Sequence, residues 1–393
     1  MCEKIRILKG ADRVRLRPAV IFGSDDLDGA KTALEMVLSV MTAECSAGYS
    51  DRVIITLHKD NSIEIEDFGR GIYLGSMPSN GWKEIFCELF AGSRNYPDLL
   101  SPEFSLFEKE NSIDKKSYLF GCYDELTLSA VQFASAFMNV RIRRDNHEMC
   151  LSFLKGENVG GLIDKPYAGA SGTRIHFKLD PTVFSDIHIP IEHLKNQAHK
   201  FALMTPGVKV ILKIGNTDST PMVYSYPNGI IEYLQCENDF LNETPIFYSS
   251  LSAEGQDRYN WPHYSAEIQI GISVAQGAPH QEYYHNGREL TYGGTHIQAV
   301  FKEIKQQLEW KLGKRCNDAD IKRLFNVIVI TRSSQYATRW VNGTRTSIEN
   351  AVIADMAKDS MGDSFGKFIK DNRDAIEIAF RSLKKTVEVL QND

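Results

Sequence analysis

The chain has 393 residues, enough for roughly two to three domains with cores of their own. Hydrophobic residues make up 42% and charged residues 24% of it, the proportions of an ordinary globular protein. A net charge of −6 excludes a general attraction of the whole molecule to nucleic acid, so any DNA contact must come from a local basic surface. The candidates for that surface are Lys302, Lys305, Lys311, Lys314 and Arg315.

The cysteines and the N-terminus indicate the compartment. Seven cysteines are an odd number, and no CxxC pair is present, which argues against a disulfide framework or a zinc site and fits a reducing compartment. The first ten residues lack the apolar run of a signal peptide, and no stretch reaches the roughly 18 apolar residues of a membrane helix. We therefore expect a cytoplasmic protein with no membrane partner.

The first long helix is predicted to begin near Ala30 and to be apolar on most sides. One apolar stripe at helical spacing consists of Leu34, Val37, Leu38, Met41 and Cys45. A second stripe consists of Met36, Val40 and Ala43. A helix with this pattern is expected to be largely buried.

A β-hairpin follows the helix. Alternating apolar residues predict half-buried strands at Val53 to Leu57 and from Ile63 onward, joined by turn-forming residues 59–62. The same alternation puts Asp67 on the apolar face, where an unpaired polar group costs on the order of 2–7 kcal/mol. Gly69 and Gly71 come next and allow the backbone to approach a flat or phosphorylated group. A lone DxGxG motif, however, is more often just the loop that ends a hairpin.

The middle of the chain contains a long loop and a further strand. Residues 95–116 are rich in turn formers and charge, and their role is open. The segment after them retains Gly121, but its acidic residues Asp124 and Glu125 suit a helix N-terminus and repel phosphate. Thr173 enters a predicted strand.

The second half is predicted to form another domain. We place the boundary near Pro206, which divides the chain into residues 1–205 and 206–393. Alternating isoleucines predict a strand from Ile268 to Val274, and Gly293-Gly294 precede a long helix. The final helix, from Ala375 to Leu390, has an apolar stripe that suits packing on this domain or formation of a homodimer.

Several stretches together resemble the DNA gyrase B family of GHKL ATPases. The opening stretches are KIRILKGADRVRLRP, FGS and AGYSDRVIITLHKDNSIEIEDFGRGI, and SGTRIHFKLDPTVF resembles the strand that closes the adenine pocket. FALMTPGVKVILK, SYPNGIIEYL and YGGTHIQAVFKEI resemble the transducer domain. The resemblance implies an α+β protein: a GHKL (Bergerat) α/β sandwich followed by a βαβ transducer domain, with nothing that matches the TOPRIM module.

The resemblance also implies that the hydrolytic groups are missing. In the family, the first long helix carries a glutamate that polarises the attacking water and, four residues later, an asparagine that holds magnesium. The match puts Met36 and Val40 at these positions. Neither can take a proton or ligate magnesium, which demands oxygen donors. The glycine-rich phosphate loop of the family is replaced around Gly121.

The adenine half of the family's pocket is retained. The aspartate and threonine that contact adenine through water correspond to Asp67 and Thr173. With Gly69 and Gly71, they predict a cavity for a purine or an aminocoumarin-like ring. The alternatives are an internal hydrogen bond from Asp67, a trapped water, or a space closed by Met36, Val40 and Phe68.

A further candidate lies in the second domain. Residues 342–350 resemble the family's loop whose lysine reaches the γ-phosphate, and the matching triplet is Gly343-Thr344-Arg345. Arginine keeps the charge but not the shape of the ammonium group. Arg345 is therefore a candidate for a nucleotide contact or for a salt bridge.

Three functions remain open. The first is a gyrase B-like pseudo-ATPase that acts as a partner, decoy or regulator of a type II DNA topoisomerase or a DNA-associated complex, with ATP or no cofactor and no magnesium. The second is an ATP-dependent topoisomerase component that uses replacement carboxylates, for which Glu35, Glu44 and Asp67 are the candidates. The third is a module that binds another nucleotide or ligand.

Overall fold

The computed structural model describes residues 10–74, 78–89, 127–215, 220–236, 242–259, 261, 263–313, 315–334, 337–342 and 345–392. These residues form two compact units, the first ending at Ser225 and the second beginning at Tyr226. The predicted loop 95–116, the segment with Gly121, Asp124 and Glu125, and the residues Lys314, Gly343 and Thr344 lie outside the described residues.

The first unit is an α/β sandwich. Its helices are α1 (Gly10–Leu16), α2 (Pro18–Phe22), α3 (Leu27–Ser46), α4 (Pro78–Cys87), α5 (Thr127–Phe133) and α6 (Ile191–Met204). Its strands are β1 (Arg52–Leu57), β2 (Ile63–Asp67), β3 (Ser135–Arg144), β4 (His147–Leu154), β5 (Glu157–Asn158), β6 (Ile163–Pro166), β7 (Gly172–Leu179), β8 (Lys209–Ile214) and β9 (Met222–Tyr224).

The described strands of the first unit form one mixed sheet. Their order is β5-β4-β3-β7-β2-β1-β8-β9, with β6 paired to β4. Every pair is antiparallel except β1 and β8. The predicted hairpin is confirmed, since Val53 pairs with Asp67 and the turn residue Asn61 has φ 61°.

Helix α3 packs against the apolar face of this sheet. The described side chains of both predicted stripes are buried: Leu34, Val37 and Met41 are fully covered, and Met36 and Val40 are 5% and 3% exposed. The opposite face of the sheet carries charged pairs such as Arg174 with Glu64. The α/β sandwich that the resemblance implies is therefore confirmed.

The division between the units falls later than the position near Pro206. Strand β8 begins at Lys209 and pairs in parallel with β1 over its whole length, and β9 then pairs with β8. These strands extend the first sheet, so the first unit continues to Ser225 instead of ending at residue 205. The hydrogen bonds join residues far apart in sequence, which local patterns do not reveal.

The second unit contains the predicted βαβ element. Its helices are α7 (Ile230–Cys236), α8 (Thr295–Leu312), α9 (Asp318–Leu324), α10 (Ala351–Asp371) and α11 (Arg373–Asn392). Its strands are β10 (Phe247–Gly255), β11 (Tyr264–Val274), β12 (Gln281–His285), β13 (Arg288–Glu289) and β14 (Phe325–Ser333), in the order β10-β11-β14-β12-β13. Strands β12 and β14 are parallel, and α8 and α9 connect them.

The core of the second unit follows the predicted alternation. Ile268, Ile270 and Ile272 on β11 are fully buried, as are Val300 and Ile304 on α8. Helix α10, which local patterns did not predict, covers β10 and α8 and is kinked at Gly362, where φ is 32°. In the described parts of both units, no helix is long and apolar enough to cross a membrane.

Two buried histidines lie in the second unit. His285 bonds through Nδ1 and Nε2 to the hydroxyls of Thr331 and Thr338, each at 2.9 Å. Neither ring nitrogen of His296 has a hydrogen-bond partner among the described residues. Burial lowers the pKa of each imidazole to about 3.

The His296→Leu variant is expected to lose less stability in acid than the wild type. A histidine whose pKa is lower in the folded state than in the unfolded state is neutral in both states well above pH 6.5 and then has no effect on stability. As the pH falls below 6.5, only the unfolded state takes up the proton, and the free energy of unfolding decreases. One such histidine lowers the free energy of unfolding by about 2 kcal/mol between pH 7 and pH 5. Urea unfolding followed by tryptophan fluorescence at both pH values measures this loss. The exposed control His188→Leu should retain the wild-type loss, and an equal loss in His296→Leu would contradict the assignment.

Candidate functional site

Asp67 ends β2 and is buried against α3, as predicted. Its side chain is 2% exposed, and its Oδ1 accepts the Gly69 N–H at 2.7 Å. Burial raises the pKa of Asp67 to about 7; the Gly69 and Thr173 N–H groups oppose the rise, and the charge of Glu44 adds to it. The carboxylate predicted to need a donor therefore has donors within the chain.

Thr173 lies beside this aspartate at the start of β7. Its hydroxyl accepts the backbone N–H of Ile72 at 3.0 Å, which fixes the loop after β2. The preceding residue, Gly172, has φ 149°, and a Cβ there would stand 2.2 Å from the carbonyl oxygen of Asp67. The two strands approach so closely that only glycine fits at this position.

Gly69 and Gly71 are also packed against the protein itself. A Cβ on Gly69 would lie 2.9 Å from Glu44 Oε2, and one on Gly71 would lie 2.6 Å from the carbonyl oxygen of Arg143. Gly71 has φ 79°, and its carbonyl oxygen accepts a hydrogen bond from Arg144 Nη1 at 2.8 Å. Glycine is thus needed at both positions because Glu44 and the backbone at Arg143, which belong to the same unit, lie so close to them.

An ion pair that local patterns did not predict covers Gly69. Glu44 accepts from Arg70 Nη2 at 2.8 Å and from Arg70 Nε at 3.2 Å, and it also accepts the Arg70 backbone N–H at 3.1 Å. The Arg70 guanidinium lies 3.6 Å from the centre of the Tyr49 ring. Helical spacing could have indicated where Glu44 lies, because this residue comes four positions after Val40 and is therefore on the same face of α3.

Two residues of α3 that the resemblance matches to hydrolytic residues of the family belong to the apolar core. Met36 and Val40 are buried, and the neighbouring carboxylate, Glu35, is 46% exposed. Glu35 accepts from Gln197 Nε2 at 2.9 Å and lies 3.5 Å from His193 Nε2. Among the described residues, no group of three or more His, Cys, Asp or Glu side chains could hold a metal ion.

The remaining candidates are Phe68, in the loop after β2, and Arg345. Phe68 is half-buried and packs under the Arg52 guanidinium, 4.1 Å from the ring centre. Arg345 belongs to the second unit, with φ 56°, its N–H bonded to the Asn342 carbonyl oxygen at 3.1 Å and its guanidinium 5.9 Å from the Trp340 ring centre. The structure therefore brings together Asp67, Gly69, Gly71 and Thr173 within the first unit, as a cluster that we call the Asp67 group.

Removing Glu44 is expected to destabilise the first unit. Glu44→Ala removes the three hydrogen bonds that Arg70 donates to Glu44 in a mostly buried site, which we expect to lower the free energy of unfolding by about 2–3 kcal/mol. Glu35→Ala, on the same helix but with an exposed pair, should cost about 1 kcal/mol or less. Urea unfolding followed by circular dichroism compares the two. Equal losses in both variants would contradict a structural role for the Glu44–Arg70 pair.

The sequence of this chain is similar to that of bacterial type II topoisomerases, although no protein-family model matches it. The gyrase B protein of Thermotoga maritima is 26% identical over 323 residues, which cover 80% of this chain and 47% of the relative. The topoisomerase 4 B protein of Bacillus subtilis is 25% identical over 406 residues, covering 99% and 57%. The chain spans about half the length of the curated relatives it matches.

Solved structures share the fold along almost the whole chain. The 43K ATPase domain of Thermus thermophilus gyrase B, in complex with an aminocoumarin, has a TM-score of 0.66 and 19% identity over 99% of this chain and 97% of its own. The gyrase B protein of Myxococcus xanthus has a TM-score of 0.69 and 15% identity, covering 93% and 98%. The chain is a homologue of the gyrase B and topoisomerase IV B proteins and has the GHKL fold of their ATPase region.

Proposed function

We propose that this protein is a gyrase B-like partner or regulator of a type II topoisomerase and does not hydrolyse ATP. The proposal rests on the side chains of the face of α3 that ends beside Asp67. Met36 and Val40 on this face are buried apolar residues, and Glu44 below them is held by Arg70. Neither apolar side chain can activate water or ligate magnesium.

The alternative is an ATP-hydrolysing topoisomerase component with a replacement base. Glu44 accepts three bonds from Arg70, and Glu35 faces Gln197 and His193, so both carboxylates are engaged elsewhere. Asp67 is the one observation in favour of this alternative, because a carboxyl with a pKa of about 7 is well suited to take a proton near neutral pH. Its burial and its two N–H donors argue for a structural or base-binding role instead.

We expect no ATP turnover above background by the purified chain with magnesium at pH 7.5. Losing a general base costs roughly 10²–10⁴-fold, and the magnesium ligand is replaced as well. A phosphate-release assay measures this, with the 43K ATPase domain of Thermus thermophilus gyrase B as the active control. Turnover that disappears in Asp67→Asn, Glu44→Ala or Glu35→Ala would establish the alternative, whereas turnover that persists in all three variants comes from a contaminant.

The residual ligand that we propose is the adenine part of ATP, or no cofactor. A carboxylate has about four acceptor positions, so Asp67 can accept a base N–H in addition to the bonds from Gly69 and Thr173. Such binding would lack most charge-assisted contacts to phosphate and would be weak. Arg345 is proposed as a nucleotide contact or as a partner in a salt bridge.

The proposed partners are the subunits of a type II topoisomerase, with a homodimer through α11 as a further assembly. Direct DNA contact should be weak and local. Of the basic candidates on α8, Lys305 is paired with Asp318 at 2.8 Å and Lys311 lies over the Trp310 ring at 3.6 Å. Both arrangements reduce the charge available for phosphate.

A tagged form of this protein, expressed in its native cell, is expected to co-purify with topoisomerase subunits. The association should persist after nuclease treatment, because the proposed contact is between proteins. Quantitative mass spectrometry against an untagged strain measures the enrichment. Recovery of topoisomerase subunits only without nuclease, or no enrichment at all, would contradict the proposed partnership.

A further inference from the structure

A cavity of about 780 Å³ lies within the second unit. Its walls are formed by α8 between Ile297 and Glu309, by α9, by strand β12 and by the turn before α8. Its volume falls within the range of roughly 300–1,000 Å³ that is usual for small-molecule sites. The proposed function makes no use of this space.

The cavity carries positive charge that is not fully neutralised. Its acidic residues are Asp318, which is paired with Lys305 at 2.8 Å, and Glu309, which accepts the Cys316 N–H at 3.2 Å. Lys302 and Lys322 also line it, so three lysines face two acidic residues, although the charge of Lys322 helps Lys305 to lower the pKa of Asp318. An anionic group is the ligand chemistry that would neutralise these two ammonium groups.

Flat aromatic surfaces stand beside the lysines. Phe301, Tyr283 and Tyr292 line the cavity, and the Lys322 ammonium lies 5.5 Å from the centre of the Phe301 ring. Tyr292 is 76% exposed, unusually high for a large side chain at a cavity rim. Planar rings of this kind bind a planar ligand by stacking. The walls therefore combine sites for a ring and for an anion.

The rim of the cavity holds the segment that contains Arg345. The Tyr292 N–H donates to the Thr346 carbonyl oxygen at 3.0 Å, and the Ile348 N–H donates to the Gly293 carbonyl oxygen at 3.3 Å. Gly294 also forms a parallel bridge with Ile348, and a Cβ there would stand 2.1 Å from the Ile348 carbonyl oxygen. A ligand that fixes the positions of Tyr292 and Gly293 therefore also affects the positions of residues 345–348, which are hydrogen-bonded to them.

We propose that this cavity binds a small phosphorylated or carboxylated compound with a flat ring, and that binding there is coupled to the Arg345 segment. Lys302 and Lys322 bind the anionic group, and Phe301 and Tyr292 hold the ring. The ligand thus acts on the second unit without using the Asp67 group. This site does not depend on whether the first unit binds or hydrolyses ATP.

The probe for this site is uridine monophosphate, titrated by calorimetry into the whole chain. We expect a Kd of about 1 mM or tighter, and binding about tenfold weaker for uridine and for inorganic phosphate. Lys302→Gln and Lys322→Gln should each weaken binding about tenfold. Lys311→Gln, on the same helix but outside the cavity lining, is the matched control and should bind as the wild type does.

A second readout is the fluorescence of Trp340, which forms a bridge with Ile348. The probe should change this emission in the wild type and in Asp67→Asn, and the change should be absent in Trp340→Phe. Lack of binding at about 10 mM probe would overturn the site, as would equal binding by Lys302→Gln, Lys322→Gln and Lys311→Gln. Binding without any change that depends on Trp340 would overturn the coupling.

Discussion

The buried carboxylate of Asp67 is the constraint on which the first unit depends. It lies at the end of β2 with 2% exposure, so it must find donors inside the protein. The Gly69 and Thr173 N–H groups supply them, and this requires the loop after β2 to fold back onto the start of β7. Gly71 and Gly172 allow that approach, because a side chain at either would collide with the backbone.

The face of α3 above this carboxylate determines what the unit can do. Met36 and Val40 fill it with apolar side chains, and Glu44 joins it to the loop through Arg70. Each of these side chains packs or pairs within the first unit, and neither Met36 nor Val40 offers an oxygen to a metal ion. The shared fold and the apolar side chains on this face of α3 support the function that we propose, which is to act by binding.

Local patterns in the sequence predicted much of this architecture, and contacts between distant residues account for what they missed. Strand alternation correctly predicted the hairpin and the inward carboxylate, because period two fixes the face of Asp67. The parallel pairing of β8 with β1 joins residues far apart in the chain and leaves no local sequence pattern, so the predicted domain boundary near Pro206 lies too early. The Glu44–Arg70 pair joins residues 26 positions apart, and its charges alone did not indicate a partner.

The most direct test of a binding protein without a catalytic site is the effect of magnesium on ATP affinity. Calorimetric titration of ATP, with magnesium and with EDTA, measures it on one sample. We predict weak binding that magnesium leaves unchanged, because Val40 provides no ligand for the ion. Affinity that rises about tenfold or more with magnesium would contradict the proposal that this protein does not hydrolyse ATP.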